Sequence, residues 1–436
     1  MAKEFFWPAS VTWTVPGRVD GVSGGIIYPT RLGYHTLIRR NPDKTHPHLK
    51  RRFLDPQLYL IGLDPYTCRT KCAYLVTYPW FPRKPFTPFD SNKLRQNDWQ
   101  RMVKKDVHNL WVGQLPKKKK AIEQTLRICL QIQENLNCES YILPSPLTVD
   151  QTTDYSTELQ WLDTGLEVSK KINEAKQTLA TIAISDNTLR LINPWENELI
   201  DLIIDQVSSR EPDGAYIVLE QSHEQGYYCT HHNTIGCLLR LVHGLKTGGL
   251  KQIVVAYAGT AGFLSLLVGA DIWSTGWYKS ERKLKLSDVE DVSGIRLAYP
   301  AYYSHNFASE FHLNSDLDKI YQDGFRPQDD EITTASKPLI EALLSGHKVS
   351  AVPEWKHERS NVAAAREHFV SMAISRTAEI SDFSSDELFS YGLNWLKNAK
   401  FLAEEISKSE GLHERTAVNH QSSWYNVFKE FVKMVG

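Results

Sequence analysis

Three acidic residues stand where chemistry is easiest to place. Asp64, Asp186 and Glu220 each close a short apolar run: LYLIGLD (58–64), TLATIAIS with Asp186 directly after it (178–186), and GAYIVLE (214–220). Carboxylates that share one pocket repel each other, so their pKa values split, and one serves as nucleophile or base while another serves as acid. The plainer alternative is that each caps the following helix or pairs with an arginine. Further run-end residues are candidates for holding a substrate: Ser145, Tyr257, Gly259 and Ser274, with Thr275 after it. His223, Cys229, His231, His232 and Cys237 crowd one stretch. Their types suit zinc, but the spacing H-x5-C-x-H-H-x4-C is not a standard zinc pattern, and no metal or cofactor is expected. His231 and His232 read instead as groups at a helix start, able to bind a ligand or donate a proton. Lys279, Arg282, Lys283 and Lys285 follow Trp277 and Tyr278. Basic and aromatic groups beside a pocket suit a nucleic-acid backbone and a stacked base, or else a solvated basic loop.

These residues need elements to position them. Apolar runs at 58–64, 72–78, 140–145, 178–185, 214–220, 253–257, 270–274 and 294–300 predict about eight strands. Helical patterns alternate with many of them, at about 117–135, 158–173, 194–207, 233–245 and 263–268. Strands alternating with helices argue a parallel sheet, and near-continuous apolar strands argue cover on both faces. The expected fold is α/β: a (β/α)8 TIM-like barrel over 51–325, with an open doubly wound sheet as runner-up. Residues 1–50, rich in Trp, Pro and Gly, predict an N-terminal segment of short strands and turns, a flap over the barrel. Residues 330–436 predict helices alone, with Ser384 and Glu387 as a capping box. That region either packs on the barrel or binds a protein partner. In a barrel, residues just past the strand C-termini meet at one mouth, which is what gathers the candidates above.

Composition narrows the classes. The 436 residues are 42% hydrophobic and 23% charged, with a formal net charge of −1. Any basic surface is therefore local. Six cysteines are too few for a disulfide scaffold in a chain this long, and Cys68 and Cys72 read as ordinary thiols. No run approaches the ~20 apolar residues of a membrane span, and no basic end precedes an apolar run at the N-terminus. The expectation is a cytoplasmic protein with no membrane association. Neither G-x-G-x-x-G nor G-x-x-x-x-G-K-[ST] is present, so a nucleotide-cradling loop is not expected.

The stretch 252–285, QIVVAYAGTAGFLSLLVGADIWSTGWYKSERKLK, resembles the end of the barrel in tRNA-guanine transglycosylases and the related enzymes that place deazaguanine bases in DNA. Tyr257-Ala258-Gly259-Thr260 stands at the family's glycine turn, and Gly269 to Thr275 at its last strand. The resemblance implies a barrel, a nucleic-acid partner and a transferase acting at an N-glycosidic bond. It implies a general base at Asp64 and base recognition at Asp186 and Glu220. Ser274 stands where the family has its nucleophilic aspartate, and the zinc cysteines beyond it are missing, since Cys237 is the last cysteine. Three functions follow: a protein that acts on or binds a nucleobase or nucleic acid; a catalytically inactive barrel serving as a binding subunit, for instance in a bacterial defence complex; and a carboxylate-pair glycoside hydrolase.

Overall fold

The computed structural model describes residues 2–9, 18–22, 24–40, 51–84, 96–149, 155–224, 226–291, 298–313 and 316–436. Eight strands form one all-parallel sheet: β1 (Glu4–Ala9), β2 (Gly24–Ile27), β3 (Arg51–Leu54), β4 (Tyr141–Leu143), β5 (Thr178–Ile184), β6 (Gly214–Leu219), β7 (Gln252–Ala256) and β8 (Ile272–Ser274). Each pairs with its sequence neighbour from β1 to β3 and from β4 to β8, and β8 pairs back onto β1, with Glu4 opposite Ile272. Between β3 and β4, Glu139 N donates to Arg52 O at 2.9 Å, which nearly closes the ring. The fold is the expected TIM-like barrel. Strands such as β5, β6 and β7 are buried along their whole length. That fits their unbroken apolar sequences, since helices cover one face and the barrel interior the other.

The front of the barrel differs from the sequence reading. Its first two strands lie within residues 1–50, so the barrel starts at Glu4 and not near 51. Residues 58–64 are not a strand: Leu58–Leu60 is a single 3-10 turn, entered through Gln57 at φ 51°. The strand is β3, and it stops before Asp55-Pro56, where the proline lacks the N–H a ladder needs. Residues 72–78 are not a strand either. The helix Arg69–Leu75 covers them in part, an ambiguity inherent in short apolar runs. Of the run 294–300, residues 294–297 lie outside the described residues, and 298–300 carry no regular structure.

Beyond the barrel, β9 (Ala301–Ser304) and β10 (Ser309–His312) form an antiparallel hairpin. Helices follow at Lys337–Leu344, Ala363–Glu379, Ser385–Ile406 and His420–Val435. The capping box at Ser384 and Glu387 is present. These helices pack on the barrel: Trp395 Nε1 donates to His305 O at 2.7 Å, and Trp424 Nε1 donates to Cys229 O at 2.7 Å. The last two helices also pack on one another. Barrel and helices share one continuous apolar core. Among the described residues, no helix is long and apolar enough to cross a membrane.

Candidate functional site

The mouth is built from the residue or two after each strand. Tyr216 lies inside β6 and its hydroxyl reaches Asp55, the first residue after β3. Side chains alternate along a strand, so Val218 and Glu220 share that inward face. Asp55 is completely buried. Its Oδ2 accepts hydrogen bonds from Tyr59 Oη (2.6 Å) and Tyr216 Oη (2.8 Å), and its Oδ1 accepts from Gln57 N (2.9 Å). Among the described residues no cation pairs with it. Burial therefore outweighs the three hydrogen bonds and pushes its carboxyl up to about 6.

The cluster extends across the mouth. Gln57 Nε2 donates to Tyr257 Oη (2.8 Å), and Gln57 Oε1 accepts from Thr30 N (2.8 Å). The ring of Tyr28, after β2, sits 4.5 Å from that of Tyr257, after β7. Gln57 and Tyr257 both hold left-handed backbone, with φ of 51° and 56°. Such geometry costs a side-chain-bearing residue on the order of 1 kcal/mol or more and collects at functional sites. Ser274 Oγ and Thr275 Oγ1, at the end of β8, are buried without a hydrogen-bond partner among the described residues. Tyr28 Oη lies near Ser274 and Tyr216 but makes no bond of regular geometry. Four buried phenols, one carboxylate and the Ser274 hydroxyl thus gather at one point. A small cleft of about 20 Å³ opens onto Gln57 and Tyr257, lined also by Thr30, Arg31, Lys71 and Lys285.

The expected residues divide. Tyr257 and Ser274 belong to this cluster. Asp64 does not: it is exposed, accepts from Tyr66 N (3.0 Å), and shapes the turn before the helix Arg69–Leu75. The acid at the end of the third strand is Asp55. Asp186 and Glu220 do meet at the mouth, Asp186 N donating to Glu220 Oε2 (3.1 Å). They are tied into a network of their own. Arg190 Nε (3.0 Å) and His223 N (2.5 Å) donate to Asp186, and Ser222 Oγ donates to Glu220. Burial raises the Glu220 carboxyl above its ordinary value. Gln221 links this side to the cluster by donating to Tyr257 O (3.2 Å).

Gly259 supplies a turn at φ 58°, and its carbonyl accepts from Trp273 Nε1 (2.8 Å). Ser145 lines a separate cavity of about 10 Å³ behind β4, with Tyr155 and Glu158. His231 N donates to Glu224 Oε1 (2.9 Å), and His232 pairs with Glu430 of the last helix (3.2 Å). Cys237 is buried within its helix, so the histidines and cysteines of that stretch do not converge. Among the described residues, no group of three metal-ligating side chains does.

The basic stretch is the clearest correction. Arg282 is 1% exposed and donates to Glu310 Oε1 (2.5 Å), whose other oxygen accepts from Arg415 Nε (3.0 Å). Both guanidiniums also lie against the Trp277 ring, at 5.3 and 5.2 Å. Lys283 and Lys285 are buried, and each donates to Glu224 O at 2.9 Å. Arg282 and Trp277 tie the hairpin and the Arg415 loop to the barrel, Lys283 and Lys285 tie the segment after β8 to the loop after β6, and none of the three cations offers an exposed track for a phosphate backbone. The side chain of Lys279 lies outside the described residues.

Sequence reasoning missed Asp55 because FLDPQ was overshadowed by the longer apolar run after it. Asp-Pro directly after Phe53-Leu54 was the available signal, since a proline ends a central strand. The chain matches no family model and no curated protein.

Proposed function

We propose that the barrel mouth receives a nucleobase and acts at its N-glycosidic bond, with Asp55 as the acid/base group. One observation carries this reading: a fully buried carboxylate without a cation among the described residues, held near pH 6 among phenols and unpartnered hydroxyls. An isolated buried charge is expensive and is kept where chemistry uses it. A group that titrates about 6 can both take and return a proton near neutrality. The aromatic faces suit a planar heterocycle, and the hydroxyls suit its polar edge. The transglycosylase resemblance points to Asp64, which is exposed and outside the cluster, so the reading rests on Asp55 itself.

A second reading, a barrel that recognises its partner without chemistry, draws on the tight mouth. The cleft of about 20 Å³ is far smaller than a base needs, so one of its walls has to open to admit one. The test is incubation with tRNA and with duplex DNA carrying radiolabelled guanine. Release or exchange of label that Asp55→Asn abolishes supports the enzyme reading. Binding of nucleic acid with no release or exchange supports the second. Neither binding nor turnover refutes both.

A further inference from the structure

Three histidines from three separate segments meet outside the candidate site. His312 ends β10, His357 follows the 3-10 turn Pro353–Trp355, and His413 lies in the loop before the last helix. The rings of His312 and His413 stack at 3.9 Å with 7° between their planes, and His357 meets His312 edge-on at 4.5 Å. His357 stacks in turn on Tyr299 at 4.5 Å. His312 is 8% exposed, while His413 is an exposed residue whose ring covers it. The Nδ1 atoms of His312 and His357 are buried with no hydrogen-bond partner among the described residues. A proton on either nitrogen would be buried with nothing to accept it.

The stack fastens the loop 413–416 to the hairpin. His413 N donates to Asp316 Oδ2 (2.9 Å), Arg415 N donates to His413 Nδ1 (3.1 Å), and His312 N donates to Thr416 Oγ1 (2.8 Å). Arg415, set by this loop, donates to Glu310 and to Tyr299 O (2.9 Å) and lies against the Trp277 ring. The groups facing His312 are His413 and Arg415 on the loop, His357, and Asp316 at the start of the helix Asp316–Gln322. Burial, then His413 and His357, with Arg415, lower His312 to about 4 against the upward pull of Asp316. Burial, then His413 and Arg415, lower His357 as well.

We propose that this histidine stack is an acid-released latch, which holds the loop 413–416 on the hairpin while the rings are neutral and lets it go when His312 takes a proton. The fold keeps His312 neutral, so the latch is fully stable above the ordinary imidazole value of 6.5 and weakens as pH falls from there toward 4. Once the loop lifts, His312 meets water and regains its ordinary affinity for protons. Opening is then about 25-fold easier at pH 5 than at pH 7.5. Arg415 leaves Glu310 and the Trp277 ring with the loop, so the release reaches the segment that follows β8.

The experiment is hydrogen exchange read by mass spectrometry on the full chain at pH 7.5 and pH 5, with rates corrected for the intrinsic effect of pH. In wild type the amides of 413–416 are expected to lose at least tenfold in protection at pH 5, while those of the helix Ser385–Ile406 stay within twofold. His312→Phe keeps a flat ring in the stack but cannot take a proton, and its 413–416 amides are expected to stay within twofold across the same change. His312→Gln, equally unable to take a proton, is held to the same limit and decides the matter where the Phe variant does not fold. Wild-type protection that changes less than twofold overturns the latch, and so does a variant that loses protection as wild type does. Equal loss in 413–416 and in the helix overturns it as well, because the whole molecule then loosens.

Discussion

Replacing Asp55 by Asn should make the protein more stable at neutral pH while removing the proposed acid/base group. The gap between a carboxyl at about 6 and the ordinary 3.8 is a cost of folding. At ~1.4 kcal/mol per pH unit it comes to about 3 kcal/mol when Asp55 is ionised. Asparagine removes that cost and gives some back. Its amide cannot accept from Tyr59, Tyr216 and Gln57 N all at once, and one lost bond costs about 1 kcal/mol. The net expectation at pH 7 is a gain of about 1–2 kcal/mol. The sign with pH follows from the raised value. Below about 3.8 the residue is protonated in both folded and unfolded chains, and the cost vanishes. It grows as pH rises from about 4 to about 6 and is level above that. Urea unfolding of both proteins at pH 4 and pH 7 checks this: the variant's advantage should be present at pH 7 and gone or reversed at pH 4. A variant less stable than wild type at pH 7 by 2 kcal/mol or more, or a difference that ignores pH, would refute the reasoning.

Other consequences concern the frame around the site. Glu310→Gln leaves Arg282 and Arg415 facing each other in the core and should cost about 3–5 kcal/mol by thermal or urea unfolding. The two guanidiniums hold the buried Glu310 carboxyl down at about 2 against burial, so its contribution is present above its unfolded value and fades as pH falls toward 2. Burial lowers His420 to about 3 and His368 to about 4, so the protein should lose stability as pH falls from about 6.5 toward 4. His420→Gln, whose amide can still donate to Ala308 O, should flatten that loss in an acid titration followed by circular dichroism. Ser384→Ala removes the capping box and should cost about 0.5–2 kcal/mol.

How much the sequence disclosed depended on length and repetition. The unbroken runs of β5, β6 and β7 are long enough that only a doubly covered strand explains them, and they marked the parallel barrel. The helices at 119–135, 156–172 and 385–406 were legible from spacing and caps. The front was not. β2 and β3 are four residues each, too short for a period to show, while the neighbouring LYLIGL run was a louder signal from a buried turn. That displacement moved the expected acid from Asp55 to Asp64. The basic stretch misled for another reason. Charge in sequence suggests solvent, yet Arg282 meets Glu310, 28 residues on, and Arg415 beyond it, pairings that no local pattern reveals.

The most direct measurement is binding of a free heterocycle to the mouth by titration calorimetry at pH 7, using guanine and a 7-deazaguanine with wild type and Asp55→Asn. The account predicts saturable binding to wild type, weakened at least tenfold by the substitution. Equal binding by both proteins, or no binding of either heterocycle, would contradict it.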